Sequence, residues 1–221
     1  MASNITMVVT SFDRHDLLHD TLNSFIGVHC GGMRPDGCIV VEDSTVPMPS
    51  WLQTKINYFN AKLGRITWFS NGTHKGQVNS IDRAYSLVTT DYIFHLEDDW
   101  HFNERGFMCE SIEILQRYPE IIQVSLRGDT GWHELIDSPH YPFKIAMPYW
   151  GTDWGGLSWN PGLRRMSDYK KIGSYGRHAA CGTHGLVHEA LLSRKYLDMG
   201  YRIADLGRPI VSHTGGARSR V

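Results

Sequence analysis

The feature that most constrains this chain is a strict alternation between short apolar runs and segments with the period of a helix. Ile5 to Thr10 is a β-branched run, after which Leu17, Leu18, Thr21, Leu22, Phe25 and Ile26 recur on one helical face. Gly31-Gly32 and Pro35-Asp36-Gly37 break the chain before a second run, Cys38 to Val41. Trp51, Leu52, Ile56 and Phe59 then predict a helix, Ile66 to Phe69 a strand, Val78, Ile81, Tyr85 and Leu87 a helix, and Tyr92 to Leu96 a strand. The order is βαβαβαβ. Strands so evenly apolar are buried on both faces. The pattern therefore predicts an α/β, Rossmann-like domain, with a mainly parallel central sheet, helices on both faces, and ligands at the carboxyl ends of the strands. A helix near 104–117 and a strand near 121–126 extend the pattern. The stretch 128–161 is rich in Gly, Pro and Trp and shows no period, so it is expected to be irregular. Regularity returns with a helix over 186–199, carrying Leu191, Leu192 and Tyr196, and with strands near 202–204 and 210–211.

A length of 221 residues suits one compact domain, and 41% hydrophobic with 20% charged residues excludes disorder as the main state. The 22 basic and 23 acidic residues nearly cancel, which argues against general polyanion binding and so against a nucleic-acid partner. No stretch approaches the roughly 20 apolar residues of a membrane span. The N-terminus enters its first strand without a basic leader, and Cys30, Cys38, Cys109 and Cys181 form no Cys-x-x-Cys pair, so a reducing, cytoplasmic setting is expected. Asn4-Ile5-Thr6 and Asn71-Gly72-Thr73 match the glycosylation tripeptide and carry no weight without a secretory route.

The sharpest local signal is Leu96-Glu97-Asp98-Asp99-Trp100, where three carboxylates meet as an apolar strand runs out. Such a cluster can be a solvated turn that caps the following helix, or it can await a divalent cation, since hard oxygen ligands select Mg2+ or Mn2+. Its place at a strand exit favours the cation. The neighbouring exits are polar as well, with Thr10, Ser11, Asp13 and Arg14 after the first strand and Glu42, Asp43 and Ser44 after the second. No Gly-x-Gly-x-x-Gly follows the first strand and no P-loop occurs, so a diphosphate held here would need a metal to neutralise it.

In kind and in order these residues resemble glycosyltransferase family 2 and, more broadly, the GT-A fold of nucleotide-sugar-dependent glycosyltransferases. Val8 to Arg14 is similar to that family's first strand and nucleotide loop, Ile39 to Ser44 to its second strand, Gly76-Gln77-Val78-Asn79 to the following helix start, and Leu96 to Asp99 to its Asp-x-Asp segment. Glu189 to Arg194, Gly200-Tyr201-Arg202-Ile203 and Val211-Ser212-His213 are similar to its acidic helix start, its Gly-Tyr-Arg segment and its C-terminal metal histidine. The likeness spans about 5 to 216.

The resemblance implies one GT-A-like domain over 1–221, with a nucleotide-binding half to about 100 and an acceptor-binding, catalytic half after it. It implies a metal-dependent, inverting enzyme that moves a sugar from a nucleotide-sugar donor, UDP-linked, to a hydroxyl of a carbohydrate or glycoconjugate acceptor, with Mn2+ or Mg2+ as cofactor. By position, Asp99 and His213 would bind the metal. Thr10, Ser11, Phe12, Arg14 and Asp43 would hold the nucleoside, while Glu97 or Asp98 would reach the ribose or the metal. Glu189 would be the base, in a His188-Glu189 context where the family has Glu-Asp, and Asp153 is the reserve base. Lys75 is a weaker phosphate candidate.

Arg202, Arg208, Arg218 and Arg220 lie close to His213 in sequence and are expected either to fold over the diphosphate or to fray as a basic tail. Of Trp132, Trp150, Trp154 and Trp159, the acceptor contact is expected at Trp154 with Gly155 and Gly156, because glycine lets a bulky ligand approach the backbone. His178, His184 and His188 offer a rival zinc site but lack the Glu of His-Glu-x-x-His. Two other functions compete: a nucleotidyltransferase, which would want glycine in the 10–14 loop, and a noncatalytic carbohydrate-binding protein, which would bind no nucleotide.

Overall fold

The computed structural model describes residues 4–28, 33–128, 133–148, 155–178 and 185–218. Its first half follows the predicted alternation: β1 (Ile5–Ser11), α1 (His15–Val28), β2 (Gly37–Glu42), a short α2 (Ser50–Gln53), α3 (Ile56–Leu63), β3 (Arg65–Ser70), α4 (Gln77–Ser86) and β4 (Tyr92–Glu97). The second half contains β5 (Trp100–Phe102), α5 (Phe107–Arg117), β6 (Ile121–Ser125), β7 (His133–Ile136), β8 (Lys144–Pro148), β9 (Gly162–Arg165), α6 (Met166–Ile172), α7 (Gly185–Asp198), β10 (Arg202–Asp205) and β11 (Val211–His213).

Nine strands form one sheet in the order β3-β2-β1-β4-β9-β6-β10-β8-β7. β3, β2, β1 and β4 are mutually parallel, β6 and β10 run the same way, and β8 and β9 run against them. The mainly parallel sheet is as predicted. The described parts of 128–161 are less irregular than expected, because β7 and β8 pair there as an antiparallel hairpin.

Helices cover both faces. Ile5, Met7 and Val9 of β1 pack with Leu18, Leu22 and Phe25 of α1, Phe59 of α3 and the apolar side of α5. Val8, pointing the other way, joins Val78, Ile81 and Tyr85 of α4, Met166 and Tyr169 of α6, and Leu192 and Tyr196 of α7. Leu191 does not belong to that stripe; it is exposed, and Glu189 and Ser193 point inward instead. No helix among the described residues is long and apolar enough to cross a membrane.

The topology fixes where a ligand can go. From β1 the chain winds outward through β2 to β3, then crosses back to place β4 on the other side of β1. That reversal opens a crevice at the carboxyl ends of β1 and β4, the switch point at which open α/β sheets bind ligands. Register puts Thr10 beside Glu97 and Ser11 beside Glu42.

Candidate active site

Glu97, Asp98 and Asp99 leave β4 at this crevice, and the chain then turns into β5. Thr21 of α1 fixes the turn: its hydroxyl donates to the Asp98 carbonyl at 2.7 Å and accepts from the Trp100 amide at 2.9 Å. Adjacent carboxylates can be buried here because Arg14 enters between them. Its guanidinium pairs with Asp98 and lies 2.6 Å from Asp99 Oδ2, and all three side chains are buried. Asp13, at φ 52°, bends the loop so that its amide donates to Glu42 Oε1 at 2.8 Å and the Phe12 amide donates to Asp98 Oδ2 at 3.3 Å. Burial and Asp99 raise the Asp98 carboxyl while Arg14 pulls it back. Glu97 is pushed up to about 7, by burial first and then by Asp99 and Asp98. Asp98 is therefore spent on Arg14, and of the two acids expected to reach the nucleotide it is Glu97 that faces the open space.

The C-terminal strand brings the histidine. β11 pairs antiparallel with β5, with His213 opposite Trp100, and the Thr214 amide donates to the Asp99 carbonyl at 2.8 Å. His213 Nε2 lies 3.1 Å from Asp99 Oδ2. Asp99 Oδ1 is buried with no hydrogen-bond partner among the described residues, an acceptor left over where such groups are normally satisfied. Gly215 borders the pair: a Cβ there would lie 2.4 Å from Asp99 Oδ2 and 2.9 Å from His213 Nε2. An unpartnered carboxylate oxygen beside an imidazole fits Mn2+ or Mg2+. Among the described residues no group of three protein ligands forms, so the remaining ligands would be phosphate oxygens and water. The rival zinc triplet is not assembled among the described residues either, and His184 lies outside them.

Beside these acids is a recess of about 420 Å3 of open space lined by Thr10, Ser11, Phe12, Arg14, Asp43, His74, Gln77, Ser80 and Glu97. Asp43 holds its far wall. One carboxylate oxygen accepts from Asn71 Nδ2 at 2.6 Å and the Lys75 amide at 2.8 Å; the other accepts from the Gly76 amide at 2.8 Å, with His74 Nε2 at 3.4 Å. His74 is thereby stacked on Phe12, ring centroids 4.5 Å apart and planes within 11°. Gln77 reaches Glu97 Oε1 at 2.5 Å. Sequence reasoning missed His74, Gln77 and Ser80; the clue available was Gly76-Gln77 at a helix start, with α4 opening onto the same edge. The Lys75 side chain is exposed and does not line the recess.

Glu189 lies in the first turns of α7, 5% exposed, its Oε1 accepting from the Trp159 amide at 2.6 Å. Burial pushes it up to about 8; Glu97 adds to the rise, and Arg164 and Arg127 oppose it. Glu189 does not itself line the recess. Asp153 and Trp154, with Trp132 and Trp150, lie outside the described residues. Gly155 and Gly156 leave room for packing, not for a ligand: added Cβ atoms would lie 2.3 Å from Leu197 Cδ1 and 2.5 Å from Ala146 Cβ. Trp159 is buried.

Among the described residues, the arginines expected either to fold over the diphosphate or to fray as a basic tail are paired elsewhere. Arg208 pairs with Glu104 at 2.9 Å and Glu110 at 2.6 Å, and Arg218 with Asp16 at 2.7 Å. Arg202 donates to the carbonyl of Tyr201, and Arg220 is outside the described residues. Arg127, which follows β6 and was not expected, lies over the Trp100 ring at 5.4 Å.

No family model matches the sequence, and no curated protein matches it by sequence. Solved structures do match in shape. Residues 1–349 of S. aureus TarS align with 96% of this chain and 60% of theirs, at 13% identity and TM-score 0.61. The mannosyltransferase PcManGT from Pyrobaculum calidifontis, in complex with GDP-Man and Mn2+, aligns over 98% and 58%, at 11% identity and TM-score 0.66. GalNAc-T7, with UDP, GalNAc and Mn2+, aligns over 95% and 43%, at 11% identity and TM-score 0.63. The chain thus spans about three fifths or less of each of these relatives. What it shares with them is the architecture, and the fold is that of the GT-A glycosyltransferases.

Proposed function

We propose that the protein transfers a sugar from a nucleotide-sugar donor, UDP-linked, to a hydroxyl of a carbohydrate or glycoconjugate, with inversion and with Mn2+ or Mg2+. The observation that carries this reading is the convergence at the β1/β4 switch point. An open recess and a carboxylate–imidazole pair with an unpartnered buried oxygen meet at one edge of the sheet, and α7 adds a buried glutamate. The neighbours bound to UDP or GDP-Man with Mn2+ support the donor class.

In this reading residues 1 to about 100 hold the donor and the rest shape the acceptor side and supply the base. The base and ribose occupy the recess against Phe12, His74, Thr10 and Ser11. Asp99 and His213 hold the cation, which when bound supplies Lewis-acid stabilisation of the departing diphosphate. Glu189 removes the proton of the acceptor hydroxyl as its oxygen bonds to the anomeric carbon. The bond from that carbon to the β-phosphate oxygen breaks with its electron pair going to the phosphate. A base so placed contributes about 10² to 10⁴ in rate. The Trp159 amide orients it.

The test is turnover. The protein is incubated with UDP-, GDP- and dTDP-sugars and Mn2+, and free nucleoside diphosphate is followed with and without a panel of sugar acceptors. Release of one diphosphate, stimulated by an acceptor, is the expected result; the product's anomeric proton coupling then reports inversion. Pyrophosphate release from sugar phosphate and nucleoside triphosphate would point instead to a nucleotidyltransferase.

A further inference from the structure

Three carboxylates crowd the mouth of the site, yet the arginines that could receive an anionic ligand are engaged. Arg14 is held by Asp98 and Asp99, Arg208 by Glu104 and Glu110, and Arg218 by Asp16. Arg127 differs. It is the first charged residue after the buried strand β6, at the sheet edge where ligands bind, and it is partly buried. Among the described residues it makes no hydrogen bond or ion pair. Its guanidinium lies 5.4 Å from the centre of the Trp100 indole, and the same indole has His213 5.0 Å away. Trp100 Nε1 donates in turn to Glu97 at 3.4 Å.

Stacking on an indole engages the face of a guanidinium and leaves its in-plane N–H groups free, a rigid fork that matches phosphate oxygens two at a time. We infer that Arg127 binds the distal phosphate of the nucleoside diphosphate. This rests on the nucleotide-sugar reading above and adds to it the residue that receives the leaving charge. Trp100 holds the guanidinium near the site, so a cation is at hand as the phosphate gains negative charge when the sugar departs.

The test compares wild type, Arg127→Gln and Arg127→Lys by titration calorimetry in Mn2+, with UDP and UMP and with GDP and GMP. Arg127→Gln is expected to weaken diphosphate binding about tenfold or more and to leave monophosphate binding within about twofold, with Arg127→Lys between. Equal loss for mono- and diphosphate, or no loss for either, overturns the inference. A lower melting temperature with both affinities intact assigns Arg127 to packing on Trp100 and overturns it as well. If wild type binds none of the diphosphates in Mn2+, the donor reading itself fails, a result distinct from a variant that binds as wild type does.

Discussion

Replacing Glu189 with glutamine removes a titrating oxygen while keeping the shape and the acceptor that receives the Trp159 amide at 2.6 Å. In the folded metal-free protein burial lifts this carboxyl from its ordinary 4.5 to about 8. Between those two values the folded state therefore keeps a proton that the unfolded state gives up. Stability from this group is complete below 4.5, falls as pH rises, and is gone above 8. At about 1.4 kcal/mol for each pH unit the loss has a ceiling of about 5 kcal/mol. Glutamine has no such loss. The two proteins should unfold at similar urea concentrations at pH 5, and Glu189→Gln should be the more stable by a few kcal/mol at pH 9. The pH dependence from Asp98, which is held by Arg14, is common to both and cancels in the difference, while the coupling of Glu97 to Glu189 adds to the gap between them. The same variant should lose about 10² to 10⁴ in turnover, and wild-type kcat/KM should rise with pH toward an inflection near 8. Parallel stability curves across the pH range would refute the buried, protonated carboxyl. Full turnover in Glu189→Gln would transfer the role of base to another residue, Asp153 first.

Gly215→Ala would set a methyl 2.4 Å from Asp99 Oδ2, so Mn2+-dependent nucleotide affinity should fall at least about tenfold, read by calorimetry. Gly156→Ala combines φ 89° with a methyl 2.5 Å from Ala146 Cβ; a loss of about 2 kcal/mol or more in urea is expected, and less than about 0.5 kcal/mol would contradict the packing role. Arg208→Ala removes an exposed pair with Glu104 and Glu110, so it should cost at most about 1 kcal/mol and leave nucleotide affinity unchanged in the same titration.

The strands most legible in the sequence are those buried on both faces, although the partly exposed edge strand β3 was legible too. β1, β2 and β4 read as apolar runs because each side chain meets either α1, α3 and α5 or α4, α6 and α7. β9 was invisible for the opposite reason. Gly162-Leu163-Arg164-Arg165 has one apolar residue, and what seats it between β4 and β6 is long-range: Leu163 in the core, Arg164 on the Ser158 carbonyl at 2.9 Å, and Arg165 on the Pro119 carbonyl at 2.8 Å. The site divides in the same way. Asp99 and His213 could be paired from motif order, and the β5/β11 ladder brings them together. His74 could not, because its loop is folded back by the Asp43 carboxylate, a contact with no local signal. Proximity in sequence misled for Arg208 and Arg218, whose partners Glu104, Glu110 and Asp16 lie 104, 98 and 202 residues away along the chain.

The central claim is a metal-dependent nucleotide site built on Asp99. It is tested most directly by the melting temperature of wild type and Asp99→Asn with UDP-, GDP- and dTDP-sugars, each with Mn2+ and with a chelator. Wild type should be stabilised by one donor class in Mn2+ only, by about 2.7 kcal/mol when the ligand is at 100 times its Kd, and Asp99→Asn should show no such shift. A donor that stabilises both proteins equally, with or without Mn2+, would contradict the account, as would the absence of any shift in wild type.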